Sequence, residues 1–250
     1  MTILDKIRGS KKLQYLKWWD IFILTLILFL QAIQSSFAAF STLEDSAVAE
    51  LPEFTSSVNW QAFSHQAFLL LLAFLYLWIR HFDFSVWTSK MRITPKAILM
   101  GVGLFLGLAI LFDLYFIAAS YLLPPTPVDS VYYETEQMMH PLLQKLSEID
   151  LSLLVYSALN GFYEEIFFLG ICLTVKPEHR RWAFLYSLLV RYSFHTYQGN
   201  VSALAIGFLL GTIYYVLYTR MKEKNMFPFF LAHAISDVMG VGILSYFILV

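Results

Sequence analysis

At 250 residues, 58% hydrophobic and only 14% charged, with a mean hydropathy of +0.63 and 23 Phe, 15 Tyr and 6 Trp, the chain carries more apolar surface than one soluble core of this size hides. It reads as an integral membrane protein. The formal net charge of -1 excludes a nucleic-acid binder or a charged tail, and the single cysteine, Cys172, excludes an intrachain disulfide framework and a Cys-rich metal site.

In chain order, apolar segments run over 18–40, 64–82, 97–123, 151–175, 182–198, 201–219 and 227–249, most of them near the ~20 residues that a spanning helix needs. They predict an all-α polytopic transmembrane bundle of about seven spans, within a range of six to eight. Lys6, Arg8, Lys11, Lys12 and Lys17 precede the first span, and Arg80, Lys90, Arg92 and Lys96 flank the loop after the second. Lys176, Arg180 and Arg181 follow the fourth; Arg220, Lys222 and Lys224 follow the sixth. All four sets fall on one side, which the positive-inside rule makes cytoplasmic. The opposite loops carry Glu44, Asp45, Glu50, Glu53, Asp129, Glu134, Glu136, Glu148 and Asp150, with Lys145 as their only Lys or Arg. The expected topology is N-terminus inside and C-terminus outside, in a cell membrane.

The first span has the basic flank and the small residues Ser36, Ala38 and Ala39 of a signal peptide. Its apolar run exceeds the ~7–15 residues usual for one, which favours a retained anchor. PPTP at 124–127 ends the third helix. No repeat, soluble domain or low-complexity linker interrupts the chain. The organisation expected is N-terminal helices and outer loops over 1–150 and a four-helix core over 151–250.

An ionisable group inside a span is a functional candidate by default, because insertion costs about 2.5–3.5 kcal/mol. These groups concentrate in the last four spans: Glu164 and Glu165, Arg191 and His195, His233 and Asp237. Arg191 and His195 are four residues apart, as are His233 and Asp237, so each pair is expected on one helix face. Counting helical rise from the cytoplasmic charges puts all six near one depth. Isolated Asp113 and Asp20 read as interfacial or structural. Two bland alternatives explain the same residues. Buried polar groups act as packing glue in membrane bundles, and transporters place carboxylates and histidines on proton paths.

EEIFF at 164–168, RYSFHTYQG at 191–199 and HAISD at 233–237, in this order, resemble the three motifs of the CPBP family, the CAAX-protease and bacteriocin-processing intramembrane proteases, also labelled Abi, which include type II CAAX prenyl endopeptidases. The resemblance covers about 151–245. It departs from the family at two places: Leu169 stands where EExxxR has its arginine, and Arg191 where FxxxH has its phenylalanine. Arg191 is expected to supply the cation that position 169 lacks.

What the resemblance implies is endoproteolysis of a small peptide or membrane-associated precursor. Glu164 would be the general base and proton shuttle, His195 its partner, and His233 with Asp237 the group facing the oxyanion. Glu165 would position Glu164 or hold Arg191. The family carries both glutamic and metalloprotease labels. Glu164, His195, His233 and Asp237 also make a plausible ligand set for zinc or another divalent metal, although no HExxH helix is present. Metal-independent hydrolysis is the favoured expectation. The competing functions are a non-proteolytic scaffold or regulator, a bacteriocin self-immunity protein with the same fold, and a proton-coupled transporter.

Overall fold

The computed structural model describes residues 12–43, 55–122 and 140–247. The loop residues Lys6, Arg8, Lys11, Glu44, Asp45, Glu50, Glu53, Asp129, Glu134 and Glu136, and the PPTP stretch at 124–127, lie outside the described residues. Among those described, helices account for all regular structure except one isolated bridge between Leu13 and Phe82.

In chain order the α-helices are α1 (Trp18–Leu43), α2 (Ser56–Ile79), α3 (Ser85–Thr88), α4 (Pro95–Leu122), α5 (Pro141–Glu148), α6 (Leu151–Glu165), α7 (Arg180–Ser193), α8 (Gly199–Leu204), α9 (Gly211–Arg220) and α10 (Phe227–Met239). Four runs are long and apolar enough to cross a bilayer: Trp18–Ser41, Ser56–Ile79, Pro95–Leu122 and Thr196–Arg220. The last joins α8 to α9 through the π-helical stretch Ala205–Leu210. α6 continues likewise for six residues as the π-helix Ile166–Ile171, and α10 is a shorter apolar helix of 13 residues.

Local chemistry sets the helix starts. Asp150 caps α6 by accepting from Leu153 N–H at 2.8 Å, and Thr55 caps α2. α10 opens with Pro228 in its first turn, where a missing N–H costs nothing.

The basic loops gather at one end of the bundle. Leu13 N–H donates to His81 O, Leu16 N–H to Thr174 O, and Met226 N–H to Lys90 O, so the starts of α1 and α10 and the ends of α2 and of the π-helix meet there. Asp20, fully buried, accepts from Arg80 Nε at 2.7 Å and Tyr76 Oη at 2.6 Å, clamping α1 to α2. At the opposite end, Asp113 on α4 accepts from the backbone N–H groups of Ile243 and Leu244 at 2.9 and 3.0 Å. Both isolated aspartates are thus structural ties.

α10 packs between α4 and α6, α2 covers α6, and α1 lies against α2 and α7. Helices leave lipid for each other through close packing and polar links, not through a water-driven hydrophobic gain. Phe29 of α1 illustrates the packing, stacking on Phe194 (4.8 Å between centroids) and meeting Tyr163, Phe167 and Phe168 edge-on or tilted. Gly161 illustrates the closeness: a Cβ there would lie 2.6 Å from Phe230 O and 2.9 Å from Ala234 N. Only glycine lets α6 approach the α10 backbone so closely, and the residues three and four positions further along α6 are Glu164 and Glu165.

Candidate active site

Two features of α6 set the carboxylates in place. Gly161 brings the helix onto α10, and directly after Glu165 the helix widens into its π-helical turn, where Cys172 N–H donates to Phe167 O at 2.9 Å. Such turns cluster at functional sites because one added residue re-aims the side chains on either side. Glu164 is 5% exposed and Glu165 0%.

Glu165 is the hub. Arg191 Nη2 lies 2.8 Å from both of its oxygens, and His233 Nδ1 donates to Oε1 at 2.8 Å. Arg191 is itself 1% exposed and its guanidinium lies 3.9 Å from the centre of the Phe168 ring, a cation–π contact. Leu169, at the position where the CPBP motif has arginine, is buried in the π-helical turn.

Glu164 faces the other ring nitrogen of His233. Its Oε2 is 3.8 Å from Nε2, while Asp237 Oδ1 is 3.6 Å from the same nitrogen. Asn160 connects the two carboxylates, with Nδ2 donating to Asp237 Oδ2 at 2.9 Å and lying 3.4 Å from Glu164 Oε1. Glu164 Oε2 is buried and has no hydrogen-bond partner among the described residues.

His195 stands differently from its expected place. α7 ends at Ser193, and His195 lies in the turn after it, not on a shared helix face with Arg191. The ring causes the break: His195 Nδ1 lies 2.7 Å from Arg191 O, the carbonyl that the next helical turn would have used, while the His195 backbone N–H goes to Tyr192 O. A carbonyl only accepts, so Nδ1 carries the hydrogen and Nε2 of the neutral ring keeps a lone pair. Among the described residues no hydrogen bond joins His195 to Glu164, Glu165, His233 or Asp237. Ser36 of α1 braces the turn, its Oγ accepting from Tyr197 N–H at 2.8 Å and meeting Thr196 Oγ1 at 3.0 Å.

The structure therefore brings together Glu164, Glu165, Arg191, His233 and Asp237, with His195 anchored beside them through the Arg191 carbonyl. Reasoning from charges overlooked Asn160 and Gln66, whose Nε2 donates to Asn160 Oδ1 at 2.6 Å. Asn160 had a signal, since it lies one helical turn before Glu164.

Glu164, Glu165 and His233 are the described residues whose ligand atoms come within 4.8 Å of one another as a group of three or more. Glu165 is already committed to protein partners. Both of its oxygens lie on Arg191 Nη2, and one also accepts from His233 Nδ1. Of this trio Glu164 Oε2 and His233 Nε2 remain, with Asp237 Oδ1 3.6 Å from the same ring nitrogen.

This cluster sits inside a stretch that resembles known proteins. Residues 147–239 match the family described as Type II CAAX prenyl endopeptidase Rce1-like. The Rce1-like segment begins just before the Asp150 cap of α6 and ends at the last residue of α10, so it holds every residue of the cluster, whereas α1, α2 and α4 lie outside it. Gln66 and Ser36 reach the Rce1-like segment from beyond its boundary. No curated protein and no solved structure matches the chain.

Proposed function

We propose that the protein is an intramembrane endopeptidase that hydrolyses a peptide bond in a small peptide or membrane-associated precursor. Its core would be 151–250 and its supporting helices 1–150. One observation carries the reading: a buried carboxylate oxygen, Glu164 Oε2, faces His233 Nε2 at 3.8 Å with no other partner among the described residues, inside the Rce1-like segment.

In this reading Glu164 takes a proton from water as the hydroxyl attacks the peptide carbonyl, and the lone pair on His195 Nε2 orients that water. The tetrahedral oxygen then needs a donor. His233 is suited to it, because Glu165 fixes its Nδ1–H and the carboxylates of Glu164 and Asp237 lie near Nε2, favouring a hydrogen there. Asp237 thereby acts through His233 and does not itself meet the oxyanion. Glu164 returns its proton to the leaving amine, so one water is consumed and no other reactant is required. Glu165 and Arg191 are positioning residues that hold the ring and each other. Hydrolysis in this reading proceeds without a metal.

The shorter helices complete about seven spans in this reading, and the basic end of the bundle faces the cytoplasm. The match to a type II CAAX prenyl endopeptidase family extends the candidate substrates to prenylated C-terminal peptides. The test is cleavage of such peptides and of unprenylated membrane peptides by purified, chelator-treated protein. Wild type should cleave one of them, and Glu164→Gln, His195→Ala and His233→Ala should lose roughly 10²–10⁴-fold in rate, the usual worth of acid–base groups. Three fully active variants would sink the reading; stoichiometric zinc lost in step with activity would overturn its metal-independent form.

A further inference from the structure

Several polar side chains lie in a row that leads to the candidate base. Ser152, Tyr156, Asn160 and Glu164 recur every fourth residue on α6 and form one stripe, descending about 18 Å from the Asp150 end to the candidate base. α2 meets this stripe with two polar rungs. Asn59 Nδ2 donates to Ser152 Oγ at 3.0 Å, and Gln66 Nε2 donates to Asn160 Oδ1 at 2.6 Å.

Carboxylates set the direction of both rungs. Ser152 gives its only hydroxyl hydrogen to Asp150 at 2.7 Å, so its oxygen must accept from Asn59. Asn160 directs its amide hydrogens toward Asp237 and Glu164, so its oxygen must accept from Gln66. Each α2 amide is left holding a carbonyl oxygen. Neither Asn59 Oδ1 nor Gln66 Oε1 has a hydrogen-bond partner among the described residues, although both are buried and Asn59 as a whole is only 1% exposed. Glu164 Oε2, at the foot of the stripe, is in the same condition.

An unpaired buried acceptor costs about 1–3 kcal/mol, and lipid offers it no relief. Packing glue would pair such groups directly; here two rungs on one helix face leave the same kind of atom over. Asn59 and Gln66 are two turns apart, about 10 Å, which is the reach of roughly three hydrogen-bonded waters. Between them on α6 lies Tyr156, partly buried and within electrostatic reach of Glu164 and Asp237.

We infer that the α2–α6 interface binds a file of water running from the Asp150 end past Asn59, Tyr156 and Gln66 to Glu164, and that this file supplies the hydrolytic water. The delivery role rests on the proposed function; the file itself does not. The route starts at the end of the bundle opposite the basic loops, so water and a substrate entering from the basic end would reach the carboxylates from different sides.

Radiolytic hydroxyl-radical footprinting of the full chain in lipid nanodiscs tests the file without an activity assay, because radicals form from bound water in place. Tyr156 should oxidise several-fold faster than Tyr163, which is 3% exposed and donates to Leu28 O. Asn59→Leu and Gln66→Leu should each bring Tyr156 toward the Tyr163 rate, and Asn59→Ser, which keeps a polar atom, should restore part of it. Glu164→Gln should leave labelling unchanged while stopping cleavage. A Tyr156 as protected as Tyr163 in the wild type, or unchanged in Asn59→Leu, overturns the file. Labelling as expected with cleavage surviving in Glu164→Gln overturns the protease reading and leaves the file standing.

Discussion

Arg191 Nη2 lies 2.8 Å from Glu165 Oε1 and 2.8 Å from Oε2, tying α7 to α6 through two side chains that are both essentially inaccessible to solvent. Position 169, where EExxxR has its arginine, is held by the buried Leu169, so the cation on Glu165 comes from a different helix.

Removing one partner of such a pair leaves a bare charge in a low-dielectric interior. Arg191→Leu should therefore destabilise the protein by about 3–5 kcal/mol, read as a fall in melting temperature in detergent and in yield from membranes. Leu169→Arg in that background should recover part of the loss, as should Glu165→Leu. A single variant that is as stable and active as wild type would contradict a structural role for the pair.

Asn160 joins Glu164 to Asp237 through one amide nitrogen. Asn160→Leu should lower kcat by about tenfold or more, equivalent to roughly 1.4 kcal/mol or more of transition-state stabilisation, with KM nearly unchanged because the amide touches the reacting carboxylates. Asn160→Asp should be worse, since it places a third carboxyl beside two. Steady-state kinetics on a cleaved peptide separates these outcomes from a loss of binding.

Gly161 makes a steric prediction, because the atoms a side chain would meet there belong to the backbone of α10. Gly161→Ala puts a methyl 2.6 Å from Phe230 O, so α6 and α10 must separate, at about 1–3 kcal/mol for overpacking, and the Glu165 to His233 contact must lengthen. Gly103→Ala, which meets nothing within 4 Å, is the control and should be neutral or slightly stabilising. Thermal unfolding and activity should fall together in the first variant and in neither measure in the second.

Asp150 carries an acid-limb prediction. The Leu153 backbone N–H, and next the Ser152 hydroxyl, hold its carboxyl below the usual value of 3.8. A depressed folded-state value means that its contribution is complete above about pH 4 and is lost as pH falls through the lower folded value. Asp150→Asn keeps a capping oxygen and should flatten that part of the stability profile, visible as a smaller drop in melting temperature between about pH 5 and pH 2. Equal acid sensitivity in both proteins would remove Asp150 as a contributor.

Membrane character, all-helical class and the short roll of buried ionisable residues were legible in the chain, because lipid tolerates only helices or closed barrels and makes each charge conspicuous against an apolar run. The HAISD spacing placed His233 and Asp237 on one face because α10 stays regular through both. Spacing failed at His195 for an equally local cause: its own ring nitrogen takes the Arg191 carbonyl and ends α7 two residues early.

Pairing across helices was decided by tertiary structure alone. Arg191 and Glu165 are 26 positions apart, Gln66 and Asn160 94, and Ser36 and Thr196 160, distances over which periodicity carries no information. The sequence by itself determined which groups had to find partners, since a carboxylate or amide inside a bilayer cannot stay unpaired cheaply. Which partner each one found was set by where Gly161 let α6 touch α10 and by how the π-helical turn aimed the two glutamates, and both depend on helices meeting in three dimensions.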